Sequence, residues 1–237
     1  KICIHIQKCE GEINCDFTTV LNRALRSTLK YRTRDKEGGG ESEFEYINIA
    51  NLTPDGQEAY YAIFNEIKNG ASGISLSPID LITQKIEQAE FIDETGRKRR
   101  FKVSEVTGRK RKIVFSNDQG TKGAIVPRKY VTRNVAFGQF QNNQSDVLII
   151  NASGATGASA HATTKNTNLT PDQVKPRVMI IAQMELDVNK EVQKRGRINR
   201  TGQIKELPPS YDYLISAIPA EKRLMMMMQK KPCPFEA

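Results

Sequence analysis

The chain has no tryptophan and only two histidines and four cysteines in 237 residues. Cys3, Cys9, Cys15 and Cys233 form no C-x-x-C pair and have no histidine at a zinc-ligand spacing, so neither a zinc site nor a disulfide framework is indicated. His5 stands beside Cys3 and Cys9, but in an alternating run it reads as a packed strand residue. No metal site is expected, and the thiols are expected to be reduced, as in the cytosol. The longest apolar runs are strand-length, and Met225 to Met228 is short and followed by lysines, so no membrane span is expected. With no export signal, the expected location is the cytoplasm of a bacterial or phage-infected cell, or the nucleus if the source is eukaryotic. G-x-x-x-x-G-K-[ST] is also missing, as is an Asp-Glu-x-His box after a strand. The chain therefore has no Walker loop to cradle phosphates. The Gly38-Gly39-Gly40 triplet lacks the following Lys-Ser or Lys-Thr and reads as a flexible loop.

What is present is an ordinary globular composition, 38% hydrophobic and 27% charged, with a net charge of +9. This length suits one large domain, or one domain with insertions. The charge points to an anionic partner, most often nucleic acid, against the alternative of general solubility.

The densest chemistry lies between Asp187 and Gln203, whose core reads Gln193-Lys194-Arg195-Gly196-Arg197-Ile198-Asn199-Arg200-Thr201-Gly202-Gln203. Asp187 can cap a helix on which Gln193, Gly196, Arg197 and Arg200 recur at spacings of three and four and share a face. Two permanently charged guanidinium groups and an amide, with a glycine that admits something large, suit a polyphosphate. A solvated basic helix is the competing reading. Upstream, Asp146 to Asn151 reads as a short buried strand, Ala152 to Ser159 as a small-residue turn, and Val178 to Ala182 as a second strand leading into the arginine helix. Strand, glycine turn, strand and arginine helix is an α/β nucleotide-site layout.

The arginine segment resembles motif VI of superfamily 2 helicases in its Swi/Snf-like form, and Gly154 to Ser159 resembles motif V. The chain is similar to the strawberry-notch-like helicase family in three further places: Leu76-Ser77-Pro78-Ile79-Asp80, Glu105-Val106-Thr107-Gly108-Arg109 and Pro219-Ala220-Glu221-Lys222-Arg223. The resemblance implies an α/β fold with a RecA-like, P-loop NTPase-type parallel sheet flanked by helices. It makes residues 1–237 a second helicase lobe, with a β-hairpin insertion at 90–131 and an extension at 207–237. It also implies ATP and Mg2+ shared with an amino-terminal lobe. Arg200 would be the arginine finger, Arg197 its phosphate or inter-lobe partner, and Gln193 a positioning group. Gly154, Gly157, Ser159 and Gly196 would face the nucleotide, and Ser153 and Thr156 nucleic-acid phosphate. Ala158-Ser159 departs from the Ile-Asn of Swi/Snf motif V, and Asn199 replaces a usual His. Lys1 lies inside a strand-like run in the place of motif IV, so the chain is expected to be cut from a longer polypeptide.

Elsewhere, helices are expected over Asp16 to Arg32, from Thr53-Pro54 to Gly70, from Ser77-Pro78 to Ala89, over Thr132 to Gln141 and over Ala220 to Gln229. Between residues 90 and 133, short β segments alternate with turns bearing Arg97-Lys98-Arg99-Arg100 and Arg109-Lys110-Arg111-Lys112, beside Phe101 and Phe115. These two tetrads are a candidate nucleic-acid surface, or else solvated hairpins. Two leading functions remain: the carboxyl-terminal lobe of an ATP-driven nucleic-acid helicase or translocase acting on DNA, inactive alone, and a non-catalytic nucleic-acid-binding module of the same shape. An interaction lobe in a methyltransferase or replication assembly is a third.

Overall fold

A computed structural model describes residues 11–33, 44–151, 157–185, 187–217 and 219–230. The expected first strand, the glycine triplet, Ser153, Gly154 and Thr156 lie outside them. In chain order the elements are β1 (Ile13–Asn14), α1 (Phe17–Ser27), β2 (Lys30–Arg32), β3 (Phe44–Tyr46), α2 (Pro54–Ala71) and α3 (Pro78–Gln88). Then come β4 (Glu90–Ile92), β5 (Lys98–Arg100), β6 (Val103–Val106), β7 (Arg111–Phe115), β8 (Lys122–Pro127), α4 (Arg133–Gln141) and β9 (Val147–Ile150). The last are β10 (Val178–Ile181), α5 (Val188–Arg195), β11 (Ser210–Tyr213) and α6 (Pro219–Lys230). They belong to two compact units, one formed by Lys1–Lys85 with Lys110–Arg128, the other by Ile86–Arg109 with Lys129–Ala237.

In the first unit, β1, β8 and β7 form an antiparallel sheet with β8 in the centre. Asp16 caps α1, accepting from the Thr18 amide at 2.8 Å, and its other oxygen accepts from the Gly73 amide at 2.7 Å. Burial by itself would raise the Asp16 pKa, but the amides of Gly73 and Thr18 outweigh it and hold the carboxyl below its usual range. Asp80 is 6% exposed and works similarly: one oxygen accepts from the Ser77 hydroxyl at 2.7 Å and the Ile113 amide at 2.8 Å. The Leu76-Ser77-Pro78-Ile79-Asp80 stretch thus ties the start of α3 to β7. Helix α1 stops at Ser27, short of the expected Arg32. The hydroxyls of Ser27 and Thr28 bond back to the carbonyls of Ala24 and Leu25 at 2.6 and 2.7 Å, which competes with helix continuation. Lys30 to Arg32 then pair with β3 instead. On α2, Tyr61, Ile63 and Phe64 are exposed.

In the second unit, β4 and β5 form a hairpin, β6 runs parallel to β9, and β10 runs parallel to β11. Thr132 caps α4 through the Val135 amide. Ala136 and Phe137 on that helix are buried, whereas Val135 is exposed. Both parallel pairs feed one core. Phe137, Ala160 and Ile198 lie at its centre, packed by Val106 of β6, Leu148 and Ile150 of β9, Met179 of β10 and Tyr211 of β11.

The described strands therefore form five small sheets among six helices. This is a mixed α/β architecture, without the single continuous parallel sheet expected. The burial pattern gives the physical reason. Met179 and Ile181 point inward while Val178 and Ile180 are exposed, so β10 is half-buried with period two rather than covered on both faces. Likewise every residue of β9 is only partly buried. Residues 90–131 contribute three different pieces: the β4–β5 hairpin, the parallel strand β6, and the β7–β8 hairpin of the first unit.

Gly123 is flanked in register by Ile13 and Phe115. A Cβ there would lie 2.3 Å from the Val114 carbonyl oxygen and 2.9 Å from the Phe115 Cα. Because the obstruction is backbone, Gly123→Ala is expected to destabilise the chain by about 1–3 kcal/mol. Urea unfolding should show a lower midpoint, and an unchanged midpoint would refute the close approach.

Candidate functional site

Asp187 caps α5, accepting from the Asn189 amide at 2.9 Å. One turn on, Glu191 is 1% exposed. A buried carboxylate is costly unless paired and hydrogen-bonded, and here it has three partners. Lys194 Nζ lies 3.1 Å away, the Tyr213 hydroxyl donates at 2.9 Å and the Glu185 amide at 3.2 Å. Arg195 Nε donates to the Tyr213 hydroxyl at 2.7 Å, and its guanidinium lies 5.3 Å from the centre of that ring. The Tyr211 hydroxyl donates to the Arg195 carbonyl at 3.1 Å, satisfying an acceptor that the helix end would leave open. The two tyrosines of β11 thus clamp the last turn of α5.

The helix ends there. Gly196 is its carboxyl-terminal cap, and Arg197 and Arg200 lie in the turns that follow, not on a continued helical face. Two tight turns replace it: the amides of Arg197 and Ile198 donate to the carbonyls of Lys194 and Arg195. The Ala160 amide donates to the Arg197 carbonyl at 2.8 Å and the Ile204 amide to the Ala162 carbonyl at 2.9 Å. Arg197 Nη1 donates to the Ala158 carbonyl at 3.1 Å. The chain after Gly157 is thereby stitched alongside the arginine turn.

Between them opens a cleft of about 730 Å³ lined by Gly157, Gln193, Gly196, Arg197, Asn199, Arg200 and Thr201. Gln193, Gly196, Arg197 and Arg200 line this cleft together, held by turns rather than by the single helical face expected, and Gly157, which only the family resemblance singled out, lines it with them. Ser159 is not in the lining, and its carbonyl accepts from the Gln141 amide at 3.1 Å. Gly196 has a φ of −58°, and the nearest atoms, the Gln193 and Val192 carbonyl oxygens at 3.5 Å, leave ordinary room for a Cβ. Its missing side chain widens the cleft; the backbone does not require it. Gly157 has a φ of +79°, which favours glycine.

Among the described residues, none that lines the cleft is acidic. Arg200 is exposed, its Nε donating to the Gly196 carbonyl at 3.1 Å. Arg197 is partly buried, its Nε has no hydrogen-bond partner, and burial together with the charges of Arg200 and Arg133 lowers its pKa. Arg177 is 5% exposed over the Phe140 ring at 4.5 Å, with Nε and Nη2 unpartnered. Burial, with Arg200 and Arg177, also pushes His161 below its ordinary value. Such a cluster attracts an anion. Neither Arg177 nor His161 was picked out from the sequence, because their role depends on being carried to the same core.

The basic tetrads are spent differently. Arg97, Lys98, Arg99 and Arg100 are exposed, but Lys98 and Arg100 lie 3.8 and 3.6 Å from Glu90, and Arg99 lies 4.0 Å from Asp93. Phe91 and Phe101 stack on each other at 4.4 Å. Arg109 forks onto Glu105 through Nε at 2.9 Å and Nη2 at 2.8 Å, and Glu105 also accepts from Thr107. Lys110, Arg111 and Lys112 are exposed in the other unit. The Thr107 carbonyl accepts from the Asn151 side chain at 3.0 Å, joining the carboxyl ends of β6 and β9. Sequence inspection missed the Glu191, Tyr211 and Tyr213 network. The alternation of Tyr211 and Tyr213 was its only trace.

The second unit thus carries an arginine-lined cleft in an α/β arrangement with two parallel strand pairs, which is consistent with a helicase carboxyl-terminal domain. Residues 89–232 match the family described as the C-terminal domain on Strawberry notch homologue, and with more than half of its length covered, the chain belongs to that family. Searches of curated proteins and of solved structures gave no match. Among the described residues no helix is long and apolar enough to cross a membrane, and no His, Cys, Asp and Glu cluster could hold a metal.

Tyr213→Phe removes both hydrogen bonds of the hydroxyl and is expected to cost about 1–3 kcal/mol. Burial, and then Glu191, push the Tyr213 pKa up to about 12. A folded value raised above the ordinary 10 means stability that is present below pH 10 and lost as pH climbs towards 12. The stability gap between wild type and Tyr213→Phe should therefore close over that window in urea titrations. A constant gap would refute the coupling.

Proposed function

We propose that this chain is the second, RecA-like lobe of an ATP-driven nucleic-acid translocase or helicase of superfamily 2, acting with an amino-terminal lobe and, by this reading, on DNA. The observation that carries it is the cluster of Arg197 and Arg200 at an open cleft, in a helicase carboxyl-terminal family. The cleft's donors, two guanidinium groups, the Gln193 and Asn199 amides and the Thr201 hydroxyl, suit an anion such as the ATP phosphates. They include no carboxylate, so they do not fit Mg2+, a cation that seeks oxygen ligands.

The two arginines divide the work. Arg197 is tied to the Ala158 carbonyl and holds the turn after Gly157 against the arginine segment, so its share is mainly positioning. Arg200 is exposed and reaches the charge that develops on the transferred phosphoryl group. Gln193 orients the phosphates and Gly157 and Gly196 leave them room; Gly154 belongs to the same proposed nucleotide contact, whereas Ser159 stands outside the cleft lining. Ser153 and Thr156 would meet nucleic-acid phosphate. With one face of the site supplied elsewhere, the isolated chain hydrolyses little ATP. The second reading, a nucleic-acid module indifferent to nucleotide, is favoured by the exposed Lys110, Arg111 and Lys112. The pairing of Lys98, Arg99 and Arg100 with Glu90 and Asp93 weakens it.

ATP hydrolysis by this chain joined to the amino-terminal lobe of its parent, with and without DNA, separates them. Arg200→Ala is expected to lower DNA-stimulated turnover about 10³-fold or more while leaving thermal stability unchanged, and Arg197→Ala to lower both. Turnover that survives Arg200→Ala would sink the finger assignment, and binding without any nucleotide dependence would favour the module.

A further inference from the structure

The β2–β3 hairpin lies outside the family-matched residues, and all six of its residues are exposed. Its register sets Lys30 opposite Tyr46 and Arg32 opposite Phe44. Cross-strand partners and next-but-one neighbours share a face of a β ribbon, so these four side chains stand together. Tyr31 and Glu45 take the reverse face, bonded to each other at 2.7 Å. Arg26, from the last turn of α1, joins the first face with its guanidinium 5.1 Å from the centre of the Tyr46 ring. Lys30 Nζ lies 3.9 Å and the Arg32 guanidinium 5.0 Å from the centre of the Phe44 ring. Phe44 and Tyr46 are each 49% exposed. Three cations thus surround two half-open rings, and the hairpin's own described carboxylate points the other way.

We propose that this face binds single-stranded nucleic acid, with Phe44 and Tyr46 as stacking platforms for two bases and Arg26, Lys30 and Arg32 meeting the phosphates. Every base has a π face, so stacking is indifferent to sequence, and a basic rim tracks the backbone. The rings are two strand rises apart, about 6.6–6.8 Å, which leaves each able to take its own base. A duplex offers no free base faces along its length, and an acidic peptide would use the cations but not the rings. The net charge of +9 favours the same polyanion. The proposal goes beyond the motor reading and uses no residue of the cleft.

The test uses the full chain without nucleotide, labelled oligo(dT) and oligo(rU), a duplex of equal length, and heparin as a polyanion without bases. Because the chain has no tryptophan, Phe44→Trp supplies a single reporter. Its emission should be quenched by either single strand and not by heparin. The double variant Phe44→Leu with Tyr46→Leu should bind single strands about ten-fold or more weakly and heparin unchanged. Lys30→Gln and Arg32→Gln should each reduce the salt slope by about 0.7. Single-strand affinity within two-fold of wild type in the double variant would overturn the site. So would an equal loss for heparin, or tighter binding of the duplex or of an acidic peptide at this face. Since the readout needs no ATP, its failure leaves the motor reading standing, and a failed ATPase leaves this site standing.

Discussion

Glu191 is the group on which the carboxyl-terminal part of the molecule depends. Removing a carboxylate from water costs several kcal/mol unless an opposite charge and hydrogen bonds replace the lost hydration. Its partners come from the same helix, from β11 and from the loop before α5. They can satisfy it only when all three are in place, so its burial couples those elements. The Tyr211 bond to the Arg195 carbonyl then fixes where α5 stops. The position of the arginine turn follows from that stop.

From there the design is electrostatic. Arg197 and Arg177 keep buried nitrogens without partners, and an unpaired buried donor is a standing cost. Such a group calls for a partner, whether an ordered water, an ion or a ligand. The cleft beside Arg197 is open, and Arg200 stands exposed on its wall. Anchored and exposed arginines three residues apart give one group that holds the loop and one that can reach. Arginine suits both tasks because it cannot discharge by losing a proton.

The first unit handles charge in another way. Asp16 and Asp80 are buried and filled by backbone amides, so they act as fasteners. The arginines and lysine of the β2–β3 face meet aromatic rings in the open. In the second unit, by contrast, the β4–β5 hairpin neutralises most of its basic tetrad internally. Basic residues on the two hairpins therefore do different work, because those of β4–β5 have carboxylates within reach, even where Arg99 also lies over Phe91, while the cations of the β2–β3 face have aromatic rings.

The amino-acid sequence by itself determined the helix starts at Asp16, Thr53, Thr132 and Asp187, because a cap needs only a side chain and an amide two or three residues away. It also marked the arginine segment and its family, since those residues are contiguous. Helix ends were less legible: Ser27 and Thr28 stop α1 by local bonds that residue type alone does not announce, and α5 stops where β11 clamps it. Tertiary structure alone decided which cations are free, since Arg99 and Arg200 look alike in one dimension and differ only in what faces them. It also decided that Glu191 is buried, that Arg177 and Arg200 both act on His161, and that β10 has one exposed face. Each of those depends on contacts between residues far apart in the chain, where pattern and spacing carry no information.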